Sequence, residues 1–223
     1  MKSEISDGNC ERVPRFIEPG GVFSERGAGM GRDSPDLWIL RHGETAWNVE
    51  ERLQGHLDSP LTETGLAQAN AQRRILARVL PGPVPVLSSP SGRALRTARI
   101  VADAAGMPVT TDEALRELYL GAWQGRRVPD IRDELPGEAA ADPHLWKFTA
   151  PGGERLEQMI ARLNAFLDRL DGPAVVVTHG LTSRVLRCLV LGLSPRDLAW
   201  LPGGQGVVHH LSGGRARVLG DDP

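Results

Sequence analysis

Two short apolar runs, Leu37–Leu40 and Ala174–Thr178, end in the same way. The first runs into Arg41-His42-Gly43 and the second into His179-Gly180. Each run is brief, apolar and closed by a glycine turn, which reads as a buried strand. Thr182–Leu191 then follows with helical character. A chain that passes twice from strand to histidine to glycine is constrained to an α/β arrangement. Open sheets of that kind bind ligands at the carboxyl ends of their strands.

The rest of the chain from Asp36 onward keeps the alternation. Thr62–Leu80 reads as a helix with Thr62 as its N-cap and Gly65 as a propensity cost near its start. Pro81-Gly82-Pro83 ends it. Val84–Ser88 reads as a strand, Ser91–Ala105 as a helix closed by Gly106 and Pro108, and Pro108–Thr111 as a short strand. Glu154–Leu170 carries an apolar stripe of Leu156, Ile160, Leu163 and Leu167. Val207–Leu211 and Ala216–Leu219 flank Ser212-Gly213-Gly214 as a terminal hairpin. The expected fold is a three-layer α/β/α sandwich with a mostly parallel central sheet. Residues 1–35 read as an irregular N-terminal extension, with Met30 an alternative start. Residues 36–223 read as one domain, interrupted by a Pro-, Gly- and charge-rich insertion at about 124–153.

Composition excludes several classes. A formal net charge of −2 lacks the basic face that broad nucleic-acid binding requires. No stretch reaches the length of a membrane span, and no apolar leader opens the chain. Cys10 and Cys188 make neither a disulfide framework nor a zinc spacing. The expectation is a cytoplasmic protein with no nucleic-acid or membrane partner.

Polar groups gather where a strand-end site is expected. Arg41 offers a planar fork suited to phosphate, and His42 a nucleophile or proton carrier. Ser88-Ser89-Pro90 ends a strand, and Arg93 lies in the first turn of the next helix, able to reach an anion there. Arg96 and Arg99 read as solvated helix-surface groups. Glu117 stands among Tyr119, Gly121 and Trp123, where apolar rings would raise its pKa and make it a general acid. His209 and His210 fall in the hairpin, one facing in and one out; His56 and His144 read as loop residues.

Arg41-His42-Gly43-Glu44-Thr45-Ala46-Trp47-Asn48 resembles the signature of the histidine phosphatase superfamily, in its phosphoglycerate-mutase-like branch. The resemblance continues through Arg52-Leu53-Gln54-Gly55, Asp58-Ser59-Pro60-Leu61-Thr62, Ser88-Ser89-Pro90, Arg93-Ala94, Glu117, Pro151-Gly152-Gly153-Glu154 and Val177-Thr178-His179-Gly180. It implies that His42 becomes a phosphohistidine. Arg41, Arg93 and His179 would surround the phosphoryl oxygens, Asn48 would add a neutral hydrogen bond, and Gln54, Gly55 and Gly180 would complete the phosphate site. Glu117 would protonate the leaving alcohol and then activate water. No metal or other cofactor is implied, since side chains supply the positive charge.

The implied activity is hydrolysis of a small phosphorylated metabolite. The alternatives are a cofactor-dependent mutase and a non-catalytic phosphoprotein-binding domain. The family's mutases carry a Trp-Arg-Arg-Ser run in the insertion, whereas this chain has Arg126-Arg127 and Trp146-Lys147-Phe148-Thr149. Two positions depart from the family pattern: Ser91, where Leu is usual, and Arg155, where Ser often follows Gly-Gly-Glu.

Overall fold

The computed structural model describes residues 22–23, 34–103, 107–135, 137 and 142–221. Its strands are β1 (Val22–Phe23), β2 (Leu37–Arg41), β3 (Val86–Ser88), β4 (Val109–Thr111), β5 (Ala174–Thr178), β6 (Val208–Ser212) and β7 (Arg215–Leu219). They form one sheet in the order β1-β7-β6-β2-β5-β3-β4. The β2, β5, β3 and β4 strands run parallel, and β6, β7 and β1 extend the sheet antiparallel. The β6–β7 pair is the expected hairpin. Apart from the two residues of β1, the N-terminal extension lies outside the described residues up to residue 33.

The helices are α1 (Ala46–Val49), α2 (Glu63–Val79), α3 (Gly92–Asp103), α4 (Val128–Glu134), α5 (Leu156–Leu167) and α6 (Gly180–Leu191). Successive strand residues point to opposite faces, and the central strands divide accordingly. Leu37, Ile39 and Val176 join a core with Leu156, Met159 and Leu163 of α5 and Val185 of α6. Trp38, Leu40, Val175 and Val177 join a second core with Ile75 and Leu76 of α2 and Ala94, Ala98 and Val101 of α3. Burial on both faces accounts for the unbroken apolar run of β5.

Several elements differ from the sequence expectation at their ends. The α6 helix begins at Gly180, not Thr182, so it rises directly from the strand end. The α5 helix begins at Leu156, because Glu154 is engaged elsewhere: its carboxylate pairs with Arg162 and its N–H donates to Tyr119 O. The expected stop at Gly106 lies outside the described residues. Gly65 is more than a tolerated cost. A Cβ there would overlap Glu44 O and lie 2.9 Å from Glu44 N, and a Cβ on Gly43 would lie 2.9 Å from Gly65 Cα. Two glycines let the start of α2 press against the loop that leaves β2. Thr62 caps that start, accepting from Gly65 N at 3.0 Å.

Candidate active site

Strand register places the two histidines side by side. In the parallel β2–β5 pair, Arg41 is opposite Thr178, so His42 and His179 leave adjacent strands at the same level. His42 N donates to Thr178 O at 3.0 Å, and the two imidazoles meet edge to face with centroids 5.2 Å apart.

The backbone around His42 is held by side chains distant in sequence. Gln72 Nε2 donates to Arg41 O at 2.9 Å and Gln205 Nε2 to His42 O at 3.0 Å. Gly43 N donates to Thr97 Oγ1 at 3.2 Å, and Glu44 N to Gln68 Oε1 at 2.8 Å. His42 Nδ1 lies 2.7 Å from Gly43 O. A carbonyl can only accept, so Nδ1 carries the proton and Nε2 keeps its lone pair. Burial, then the charges of Arg41 and Arg93, hold the His42 pKa well below its usual value, and the ring stays neutral near pH 7.

His179 is fully buried behind His42. Its Nε2 is 2.8 Å from Ser89 Oγ, while its Nδ1 has no partner among the described residues. Burial and Arg93 depress its pKa too. Ser91 Oγ adjoins Ser89 Oγ at 3.3 Å, so the unusual serine extends this polar chain. The unusual Arg155 lies away from it, donating to Phe148 O at 3.0 Å.

A pocket of about 340 Å³ opens over these strand ends, lined by Arg41, His42, Asn48, Gln54, Gly55, Arg93, Glu117 and Gly180 among others. Arg93 is anchored by the 55–58 loop: Nη2 donates to Gly55 O at 2.9 Å, and Nη1 to Leu57 O at 2.7 Å and Asp58 Oδ1 at 2.9 Å. Its buried Nε and that of Arg41 have no protein acceptor among the described residues. Gly55, at φ +55, serves to carry that loop past Gln124 and present its carbonyl to Arg93. Asn48 Oδ1 is committed to Thr45 N at 3.1 Å within the α1 capping box, which leaves its amide hydrogens as donors. Gln54 Nε2 donates to Thr45 Oγ1 at 2.9 Å, and its buried Oε1 has no partner among the described residues.

Glu117 corrects one expectation. Its carboxylate does not rest against apolar rings but closes the N-terminus of α6. Oε1 accepts from Leu118 N at 3.0 Å and Thr182 N at 3.2 Å, with Thr182 Oγ1 at 3.0 Å; Oε2 accepts from Leu181 N at 3.2 Å. Burial pushes its pKa up, but these donors and the charge of Arg93 outweigh burial, and the net shift is downward. With its pKa lowered, Glu117 is a carboxylate near neutral pH.

Residues given no site role from the sequence also line the pocket: Arg52, Lys147, Arg184 and His144, the last expected only as a loop residue. Helical period could have found Arg184, which lies one turn beyond Gly180 on the same face. Arg96 and Arg99 are exposed, as expected. His209 is buried against Arg187 at 3.2 Å, and His210 stacks on Trp38 at 4.9 Å. Cys188 is a core residue and Cys10 lies outside the described residues. Among the described residues no helix is long and apolar enough to cross a membrane. No group of three or more His, Cys, Asp or Glu among them could hold a metal ion.

A neutral, buried imidazole with one unprotonated nitrogen, in a pocket shared with two arginines at the strand ends of an α/β sandwich, defines a class of anion-binding site centred on histidine. The chain belongs to the histidine phosphatase superfamily (branch 1), whose sequence profile matches residues 37–218. It is 38% identical over 173 residues to a protein of Enterobacter sp. (strain 638) named "Probable phosphoglycerate mutase GpmB", covering 70% of this chain and 75% of the relative. Two solved structures share the fold. A mycobacterial glucosyl-3-phosphoglycerate phosphatase is 32% identical with a TM-score of 0.70, covering 85% of this chain and 100% of that one. The alpha-ribazole phosphatase from Shigella flexneri is 26% identical with a TM-score of 0.71, covering 84% and 96%.

Proposed function

We propose that this protein is a metal-independent phosphomonoester hydrolase that works through a phosphohistidine on His42 and acts on a small phosphorylated metabolite in the cytoplasm. The observation that carries the reading is the tautomer of His42: Nδ1–H is tied to Gly43 O, which leaves Nε2 as the nucleophile beside Arg41 and Arg93.

In the first step His42 Nε2 forms a bond to phosphorus, the ester P–O bond breaks, and the leaving oxygen takes a proton from Glu117. In the second, Glu117 takes a proton from water, whose oxygen displaces His42 and releases inorganic phosphate. The resting carboxylate must gain a proton when substrate binds. A phosphoryl dianion beside it raises its proton affinity, as like charges do. Arg41 and Arg93, with unused N–H donors, stabilise the charge that spreads over the phosphoryl oxygens, and Asn48 adds an amide donor. His179 positions His42 through ring contact and offers its free Nδ1 edge.

The GpmB-named relatives support a second reading, phosphoryl return to a carbon acid. Against it, Arg126 pairs with Glu134, and neither Arg126 nor Arg127 lines the pocket. One experiment separates them. Wild type should release inorganic phosphate from p-nitrophenyl phosphate with excess EDTA present, and His42→Ala should not. Isomerisation of 3-phosphoglycerate with 2,3-bisphosphoglycerate and no net phosphate release would replace hydrolase with mutase.

A further inference from the structure

The loop from Pro202 to Gly206 lies outside the pocket, yet it touches the nucleophile. Gln205 is not among the residues that line the pocket. Its Nε2 donates to His42 O at 3.0 Å and to Asn48 Oδ1 at 3.4 Å. One amide thus holds the peptide of the reacting histidine and the carboxamide of Asn48. The second contact reinforces Asn48 Oδ1 as an acceptor, so the Asn48 amide hydrogens stay available as donors. Glycines in the left-handed region stand on both sides of Gln205, Gly204 at φ +129 and Gly206 at φ +78. They allow the chain to turn there, and they also leave the loop more conformational freedom to lose. A side chain carried on such a loop is placed only if the loop is fastened.

It is fastened at both ends. Downstream, antiparallel register with Ile39 opposite His209 brings the residues just before β6 to the level of Arg41 and His42. Gln72 Nε2 donates there to Val207 O at 3.1 Å as well as to Arg41 O at 2.9 Å. Upstream the fastening is Arg187, a fully buried guanidinium of α6 with no carboxylate paired to it among the described residues. Its Nη2 donates to Pro202 O at 2.9 Å, its Nε to Ser183 O at 3.2 Å, and its Nη1 to His209 Nδ1 at 3.2 Å. A guanidinium can only donate, so His209 Nδ1 accepts and the imidazole proton sits on Nε2. Burying a cation without a counter-charge is costly. Leucine would fill the same space in α6 at less cost. What arginine adds is directed bonds to the helix, to β6 and to the loop at once.

We propose that Gln205 is a positioning residue for the His42 nucleophile, and that the buried Arg187–His209 pair is the anchor that keeps its loop in place. Under the hydrolase reading, on which this inference rests, His42 Nε2 has to lie in line with the ester P–O bond. The His42 backbone is fixed at its N–H by Thr178 O and at its carbonyl by Gln205. Freeing that carbonyl lets the His42–Gly43 peptide tilt. Gly43 O, the acceptor that fixes the Nδ1 proton, then moves with it.

Gln205→Ala should lower kcat on p-nitrophenyl phosphate by about ten- to a hundredfold, the scale of a displaced reacting group, while KM moves by less than about threefold. Gln205→Glu keeps the size of the side chain but turns an oxygen toward two acceptors, so it should lose as much; a residue that only fills space would keep its rate. Inhibition separates positioning from damage to the anion site. Orthovanadate binds by extending to five-coordination through His42 Nε2, and inorganic phosphate binds without that bond. Vanadate inhibition should weaken about tenfold or more in both variants, with phosphate inhibition within about twofold of wild type. Arg187→Met should show the same split. His209→Leu should show it too, whereas His209→Asn, whose Oδ1 replaces Nδ1 as acceptor, should keep most of the rate; this pair tests the anchor if Arg187→Met fails to fold. Wild-type kinetics in either Gln205 variant, or equal weakening of vanadate and phosphate, overturns the positioning role. Wild-type kinetics in His209→Leu overturns the anchor. A wild-type protein that releases no phosphate from p-nitrophenyl phosphate overturns the hydrolase reading, and the positioning role with it.

Discussion

Glu117→Gln tests the proton-transfer assignment and the local architecture at once. The carboxylate takes three donors at Oε1 and one at Oε2. An amide has a single oxygen. Placed at the Oε1 position, it keeps Leu118 N and Thr182, but its NH₂ then faces Leu181 N, a donor against a donor. One buried N–H left unsatisfied costs about 1–3 kcal/mol, and that is the expected loss of folding stability at pH 7. The pH dependence has a definite sign. The folded pKa of Glu117 lies below its ordinary 4.5, so its contribution is complete above that value and is lost as pH falls through the folded pKa. The stability gap between wild type and Glu117→Gln should therefore narrow on acidification below 4.5. Catalytically, losing a general acid costs about 100- to 10,000-fold on an alkyl phosphate such as glycerol 3-phosphate. p-Nitrophenolate leaves with little help, so its loss in the first step should be less than about tenfold. Denaturant titrations at two pH values and kcat/KM on the two esters give both readings. Equal losses on the two esters would refute the proton-donor role. A gap that does not change with acid would refute the resting carboxylate.

Two further outcomes follow from burial. The folded pKa values of His42, His179 and His209 are held well below 6.5, chiefly by burial. The unfolded chain therefore binds protons that the folded chain refuses, and stability is lost as pH falls below that value. Three such groups give a slope approaching about 4 kcal/mol per pH unit near pH 5.5, measurable as the shift of a urea midpoint between pH 7 and 5; an unmoved midpoint would contradict neutral buried imidazoles. Gly65→Ala should destabilise by about 1–3 kcal/mol through overlap with Glu44, even though alanine is the better helix former. A stabilised variant would contradict the close approach of α2 to the β2 loop.

What could be read from the sequence, and what could not, divides along one physical line. The positions of Arg41, His42 and His179 follow from strand ends, which apolar runs and glycines mark locally. Parallel pairing then brings them together whatever else the chain does. The core was legible for the same reason: the alternating residues of Leu37–Leu40 can only serve two faces. Glu117 was found as a residue but misread as an environment, because its four donors include Leu181 and Thr182, more than sixty positions away. Tyr119 and Trp123, its neighbours in sequence, do not set its charge. Gly65 was misread in the same manner, since its reason for being glycine is Glu44, on another element. Lys147 was hidden more deeply. The direction of a side chain on a short helical turn inside a proline- and glycine-rich insertion depends on how Trp146 and Phe148 dock into the core, and no local period encodes that. The charge states of His42 and Glu117 and the placement of Lys147 in the pocket are thus properties of packing. The pocket residues at strand ends can be read locally from the sequence, whereas those of the insertion have to be located by folding it onto the sheet.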